Sequence, residues 1–460
     1  MAIVNDTAAA YFNPAGLAHP GRFSQRYADD GRGNPKDIAP PIGGRNAAGK
    51  VKLFAPTSGK SDPSTSAFLP TAAVPHRYSQ FSLNYLQAMP DLAIRLNSQN
   101  PLAAQQKSKA ENLNYDGFMQ LGIALDLRSL VDMPYDIPVV FGIYLGLNAN
   151  GTVSGVPAYS ETVFNFQRTG NNINLLQAAI ALSVQPWKDR LSVGISPGAS
   201  TILSGNAQVT NITLDSSQPT HVNAVADLKS EPAPVLAVNY RQPLPVGELL
   251  LGCVYRFAVR QKADFTLRTE LPLGITQNQP LNSELIAFPD VMSFGAAYGW
   301  NGFIFMADLE YQRWSSLRVD TALVAKFQPL NFYDIVILRT AVESNLKYIP
   351  LLGKSGLIAR LGYSFVPAYT PDQTGPSNYL DNSKHIFAFG IRKLFGKNSW
   401  IFRKTELDIA FQWQYWQPRD TFKSHPQVLA DGSILPDHRY GGNIFVISAG
   451  VTWNFSELAE

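Results

Sequence analysis

The sequence predicts an all-β chain, a membrane-crossing barrel of about fourteen antiparallel strands. Three observations predict it: two-residue alternation of apolar and polar side chains, large aromatics gathered at segment ends, and connections that alternate between short and long. Composition sets the frame. Of 460 residues only 16% are charged, against about 25% in an ordinary globular chain, while 45% are hydrophobic and glycine and proline number 34 and 32. Mean hydropathy is nevertheless −0.07. The longest apolar run, Pro138 to Leu147, falls short of the roughly 20 residues a membrane helix needs. A chain this apolar that lacks helical spans can cross a lipid layer only with strands.

The alternation is clearest late in the chain. Thr405 to Tyr415 places Leu407, Ile409, Phe411, Trp413 and Tyr415 on one face, and Glu406, Asp408, Ala410, Gln412 and Gln414 on the other. Phe303 to Tyr311 opposes Phe305, Ala307, Leu309 and Tyr311 to Ile304, Met306, Asp308 and Glu310. Leu357 to Phe365 turns Arg360, Gly362 and Ser364 to the wet side, and Ile444 to Phe455 does so with Ser448, Gly450, Thr452 and Asn454. A soluble sandwich with one buried face would give the same alternation for any single strand. It would not put aromatics at segment ends, where Tyr311 and Trp314, Tyr363 and Phe365, Trp413, Tyr415 and Trp416, then Trp453 and Phe455 fall, which are girdle positions of a membrane barrel.

Segments of this kind occur near Tyr78, Gly117, Ile137, Leu175, Arg190, Pro234, Glu248, Val291, Gly302, Ile335, Ser355, Lys384, Arg403 and Asn443. The even total is what single-chain barrels of the bacterial outer membrane require. Gln185–Asp189, Gly299–Gly302 and Gly396–Trp400 are short connections suited to a periplasmic side. Leu203–Glu231, Val366–Ser383 and Gln417–Gly442 are long and polar, suited to the outer surface. The expected division is an N-terminal plug and Gly/Pro-rich insert over 1–77, a barrel over 78–455 and a short tail over 456–460.

Several function classes lose support on the same reading. Net charge is +3 with both signs dispersed, so no basic patch for nucleic acid exists. Cys253 is the only cysteine, and the six histidines show no metal-ligand spacing. There is no nucleophile elbow, phosphate loop or flavin signature, and the expectation is a protein that is not an enzyme and needs no metal and no cofactor. The start, Met1 to Ala10, lacks the basic and apolar regions of a signal peptide, which leaves open a trimmed or a missing beginning.

Near the start, Ala8 to Ala18 reads AAAYFNPAGLA, a rigid apolar turn centred on Asn13, Pro14, Ala15 and Gly16. This turn resembles the hatch motif of the FadL/TodX family, outer-membrane transporters of long-chain fatty acids and aromatic hydrocarbons. Asp189–Gly198, Glu248–Phe265, Phe288–Leu317 and Ala359–Phe395 continue the resemblance in order from about Tyr78 onward. The resemblance implies a fourteen-stranded barrel in a Gram-negative outer membrane, surrounded by lipid and lipopolysaccharide, with Asn13–Gly16 in a luminal hatch. It also implies hydrophobic ligands captured at the outer surface and released sideways beside a kinked third strand. The chain departs from the pattern in its short lead before Asn13 and in the Gly/Pro/Ser/Lys-rich stretch Arg22–Arg77, which suits a linker, a docking segment or an extra plug.

Candidate site residues follow from the alternation. Leu250, Val254, Ile304 and Met306 would line the lumen with Arg256 and Arg360, the apolar groups taking a chain or ring and an arginine pairing a carboxylate. Inward charges also commonly pair across a lumen and stiffen it, and that alternative stays open. Pro138, Gly142 and Gly146 mark the third segment as the place where pairing is weak and a lateral opening would form, or as places where small residues relieve crowding. The other function class is a barrel of this type serving as a structural or docking subunit with a periplasmic or surface protein partner.

Overall fold

The structure, a computed structural model, describes residues 79–96, 116–129, 137–148, 173–187, 190–210, 221–228, 231–232, 234–271, 275–300, 302–316, 331–346, 357–372, 381–395, 405–422, 427–428, 430–432, 434–435 and 438–454. The hatch turn Asn13–Gly16, the rest of 1–77 and the tail 456–460 lie outside them.

Alternating segments become strands because each residue pair offers one side chain to either face. In chain order these are β1 (Gln80–Leu96), β2 (Asp116–Asp126), β3 (Val139–Asn148), β4 (Ile173–Trp187), β5 (Leu191–Ser196), β6 (Val235–Pro243), β7 (Glu248–Arg256) and β8 (Asp290–Trp300). They continue as β9 (Phe303–Arg313), β10 (Ile335–Asn345), β11 (Leu357–Val366), β12 (Lys384–Leu394), β13 (Thr405–Thr421) and β14 (His438–Asn454). Each pairs antiparallel with its neighbour, and β14 returns to β1 along all 17 residues, from Gln80↔Asn454 to Leu96↔His438. The result is a closed 14-stranded antiparallel barrel with no free edge within its wall.

One end carries the tight turns. Between β6 and β7, Gly247 adopts φ 84°, and a β-carbon there would lie 2.2 Å from the Gly299 carbonyl oxygen. Only glycine fits a turn that close. Gly302, at φ 83°, plays the same part between β8 and β9.

At the opposite rim the sheet departs from expectation. Much of the stretch Leu203–Glu231, anticipated as loop, is strand: Ala199–Thr210 and His221–Leu228 pair with each other and, through Val259–Leu271, with Ile275–Phe288. These four strands prolong β5 to β8 beyond the barrel as a separate extension. Pro197, Pro234 and Pro289 sit at the junction, where each withholds a ladder donor and lets the sheet change direction. Asp290 braces it, accepting from the Ala258 amide (3.0 Å) and the Tyr255 hydroxyl (3.2 Å). Polar composition hid this extension, because a strand can pair in a ladder without carrying an apolar face.

The barrel is inside out relative to a soluble fold. Ile180, Ile195, Leu251, Phe294, Phe305 and Leu361 are 42–56% exposed and point outward. On that outer face of β11 to β14, Tyr363 meets Phe387, Phe387 meets Trp413, Trp413 meets Tyr415 and Phe411 meets Phe445, with 5.2 to 6.5 Å between ring centroids. Trp187 and Trp300, 55% and 45% exposed, flank the tight-turn end. Two expected girdle members do not belong to it. Trp314 is buried on the inner side, stacked on Tyr369 with centroids 3.9 Å apart and planes 7° apart. Trp416 shares its row with inward-facing Lys384, whose ammonium lies 4.7 Å over the ring. Both follow the last lipid-facing position of their strands, so an aromatic at a strand end alone does not fix its side.

Candidate functional site

The inner wall is the candidate site, and its charges are organised before any ligand is considered. On β9 and β10, Arg339 grips Glu310 with two hydrogen bonds of 3.0 Å, with Asp308 3.9 Å away. Glu310 also accepts from Ser293 (3.3 Å) and Gln312 (2.6 Å), and Gln312 accepts from the Trp314 indole (2.7 Å). Nearer the tight-turn end, Arg360 on β11 donates to Glu343 (2.5 Å) and Asp408 (2.9 Å), while Arg392 donates to Asp408 (2.7 Å) and faces Glu406 at 3.2 Å. Strand alternation puts all of these on one side of the wall, and antiparallel register puts them in adjacent rows.

Such partly buried pairs repay their desolvation only when geometry is good and remaining valences are met. Here the carboxylates meet forked guanidinium donors, so the two networks lace β9 through β13 together. Arg360, expected to take a ligand carboxylate, already holds two carboxylates of its own, and its position is that of a wall brace. In the two networks three arginines, 339, 360 and 392, face five carboxylates, 308, 310, 343, 406 and 408.

Between the networks the inner surface turns small and apolar. Met306, Ala341, Gly362 and Ala388 occupy one row across β9 to β12. Leu250, Ala297 and Ile304 form a buried cluster, 1–5% exposed, with Met306 packed against it. Leu250, Ile304 and Met306 are thus brought together as the alternation predicted. Val254 stands in a separate cluster with Val235 and Ala237, one turn of the pleat nearer the far rim. Arg256 ends β7 above it, in register with Val235 and Val291.

The third strand is paired along both edges. β3 pairs with β2 from Val140 to Asn148 and with β4 from Val139 to Leu147, in both cases without a register break. Pro138 accepts a hydrogen bond from the Gln185 amide at 3.0 Å, so even the entry to the strand is tied to β4. No gap opens beside β3 in this structure. Gly146 instead makes room inside: a β-carbon there would sit 2.7 Å from Phe118 Cζ and 3.0 Å from the Tyr144 hydroxyl oxygen. Tyr144 itself is 1% exposed. Gly142 lies in the next inward position, flanked in register by Ala124 and Ala181. Gly146 relieves crowding against Phe118 and Tyr144.

Sequence reasoning missed a polar clamp at the far rim. Arg419 near the end of β13 donates to the Thr370 hydroxyl (2.8 Å) and to the carbonyls of Thr370 (3.0 Å), Pro371 (2.8 Å) and Asp381 (3.1 Å). Asp381 accepts from the amides of Tyr369 (2.6 Å) and Thr370 (3.0 Å), and burial pushes its carboxyl up from the usual range despite nearby Lys384 and Arg419. Asn382 donates to the carbonyls of Gln417 (2.6 Å) and Tyr440 (2.9 Å). The clamp fastens the segment after β11 to β13 and β14. Its only sequence signal was the polar character of Val366–Ser383, which does not reveal a partner some fifty residues away.

Among the described residues there is no cluster of His, Cys, Asp and Glu fit to hold a metal ion. An apolar exterior around a polar, charge-laced interior defines a transmembrane barrel with a lined lumen. Solved structures share that architecture. A monoaromatic hydrocarbon channel, CymD, aligns at 12% identity and TM-score 0.51 over 99% of this chain and 94% of that one. A FadL homologue from Pseudomonas aeruginosa aligns at 13% identity and TM-score 0.51 over 83% of this chain and 90% of the other. The likeness is one of fold. No family model and no curated protein matches the sequence.

Proposed function

We propose that this chain is an outer-membrane channel through which hydrophobic small molecules pass without energy input. The observation that carries the reading is the inner wall: apolar patches around Leu250, Val254, Ile304 and Met306 stand beside braced charge networks, inside a barrel whose outer face is apolar. A solute too apolar for the polar lipopolysaccharide layer would be shielded from water by these patches while polar groups keep the lumen wet. The likeness in fold to CymD, a monoaromatic hydrocarbon channel, supports the same direction. The reading is of transport, not turnover.

The exit is the finer part of this reading. Release sideways beside β3 would require its continuous pairing to part, and travel along the lumen asks for no such rupture. Cysteines placed at Ala124 and Gly142, which are register partners on β2 and β3, would cross-link that edge. In proteoliposomes, uptake of a hydrocarbon that stops on cross-linking and returns on reduction would establish lateral release at β3. Uptake that persists would assign passage to the lumen, and absence of any uptake by the uncross-linked barrel would reject the channel itself.

A further inference from the structure

Arg190 stands between β4 and β5 at the tight-turn end, and neutral groups fix its side chain. Its Nη1 donates to the Gln242 side-chain oxygen (2.9 Å), and its guanidinium carbon lies 5.6 Å from the centroid of the Trp187 ring. The same Gln242 oxygen accepts from the Tyr240 hydroxyl (2.7 Å), and the Trp187 and Tyr240 ring centroids are 6.2 Å apart. Among the described residues no carboxylate pairs with Arg190. Glu248 on the neighbouring β7 is turned to the lumen, where Arg241 holds it at 2.6 Å. A guanidinium has five N–H donors, and the side chain of Gln242 takes one of them. The cation is left uncompensated on the outer side, beside an exposed girdle tryptophan.

From Tyr240 an open trench crosses the outer face of β6 to β10, with a cavity volume of about 510 Å³. Its floor is low because Ala296 and Ala307, register partners on β8 and β9, carry little side chain. Its far-rim side is tall, with Phe294, Leu309 and Leu338 in one row and all exposed. The path from β6 to β10 spans about 19 Å, against about 15 Å for one leaflet of hydrocarbon, so a chain that climbs obliquely from the interface is accommodated. An apolar trench on a membrane barrel names no occupant by itself. The uncompensated cation at its lower end does, because it asks for an anion attached to an apolar chain.

We propose that Arg190 and the trench together bind one anionic glycerophospholipid of the leaflet at the tight-turn end. Arg190 takes the phosphate, Tyr240 stands at the level of the glycerol, and one acyl chain lies over Ala296 and Ala307. A planar guanidinium can give two parallel hydrogen bonds to two phosphate oxygens, which an ammonium cannot do in the same geometry. The Trp187 face steadies the cation at the membrane interface, where tryptophan is favoured. Gln242 holds both Arg190 and Tyr240, so the headgroup end and the trench end are positioned by one side chain. The inference goes beyond the channel reading and does not rest on it, since every residue involved faces away from the lumen.

The test offers the full chain in detergent phosphatidylglycerol, phosphatidylcholine or inorganic phosphate. Native mass spectrometry should find one phosphatidylglycerol held per chain, with phosphatidylcholine held about fivefold more weakly. Cys253, the only cysteine, lines the trench, so its alkylation by N-phenylmaleimide reports what lies there. Phosphatidylglycerol should slow that alkylation, and inorganic phosphate should leave it unchanged. Arg190→Gln should weaken retention of phosphatidylglycerol about fivefold, the effect of one basic group at an anionic lipid surface. Ala307→Phe fills the floor from the lipid side and should abolish both retention and protection, with heat-dependent migration on gels kept. The two variants act at opposite ends of the site, so either decides the matter if the other fails to fold. Undiminished retention by Arg190→Gln, protection of Cys253 by inorganic phosphate alone, or protection in a lipid-free dimer would each overturn the inference, the last by assigning the trench to a second copy. Hydrocarbon uptake is no part of the readout, and the channel reading stands or falls apart from it.

Discussion

The Phe118 ring of β2 lies across the backbone of Gly146 on β3, its Cζ 2.7 Å from where a β-carbon would stand. The glycine and the ring are one device: removing the first residue's side chain creates the space that the second occupies. Gly146→Ala should therefore destabilise the barrel by about 1 to 3 kcal/mol through overpacking. Adding Phe118→Ala should recover part of that loss, because the colliding ring is gone. Urea unfolding midpoints of the two single variants and the double variant decide the matter. Additive losses would mean that the collision is not what Gly146 avoids.

A second prediction concerns the brace at Arg360. Arg360→Met strands the carboxylate of Glu343, 10% exposed, and leaves Asp408, 24% exposed, to Arg392 alone. With allowance for that partial exposure the cost should be about 1 to 3 kcal/mol. Combining Arg360→Met with Glu343→Gln should return some of it. If the single substitution also abolished binding of a neutral ligand without altering stability, Arg360 would be a ligand group and not a brace.

The outer and inner faces of β13 should answer differently to the same charge. Phe411 is 42% exposed on the outer face, and Gln412 follows it on the inner face. Phe411→Lys should cost about 2 to 4 kcal/mol near the membrane midplane, and Gln412→Lys much less. The readout is the fraction that refolds into lipid vesicles, scored by altered migration before heating. Equal tolerance of both lysines would contradict a lipid-facing Phe411.

The rim clamp carries a pH dependence. Burial raises the Asp381 carboxyl above its unfolded value, so the folded state holds that proton more tightly than the unfolded chain does. Stability gained from this group is full in acid and is lost as pH rises through the raised value. Charged or titratable neighbours that bear on it are Lys384, Arg419 and Tyr440, with Asp372 on the same arginine. Asp381→Asn keeps an oxygen for the Tyr369 and Thr370 amides while removing the desolvated charge. The variant should outlast the unaltered protein in thermal unfolding at neutral pH, with the difference shrinking in acid. A gap that widened in acid would mean that the charge helps the clamp.

Much of this barrel was legible because lipid imposes a strict rule on one face. Phe305, Leu361 and Phe411 must be apolar, and a period of two over ten residues then gives strand, side and order together. All fourteen strands and the luminal side of Leu250, Ile304, Met306 and Arg360 followed from that rule. Where the rule lapses, prediction failed. The rim extension is polar in sequence, and Trp314 and Trp416 sit just past the last alternating apolar residue of their strands. Pro138 and Gly142 could be weighed only by composition, since whether a glycine loosens an edge or clears a space depends on a neighbour such as Phe118 that arrives from another strand. The pairing of Arg360 with Glu343 and Asp408 required cross-strand register, which alternation alone does not supply.

The seam between β1 and β14 sets the timing of assembly. Gln80 meets Asn454, so the first strand of the barrel must wait for almost the last residue of the chain before its second neighbour exists. Until then β1 is a 17-residue ladder with one row of amides and carbonyls unsatisfied, an invitation to any passing strand. Contacts that distant in sequence also form late, because the entropy of bringing the ends together is lost before the contacts repay it. Errors of assembly should appear first as mispairing at β1 and not as defects in the braced wall of β9 to β13.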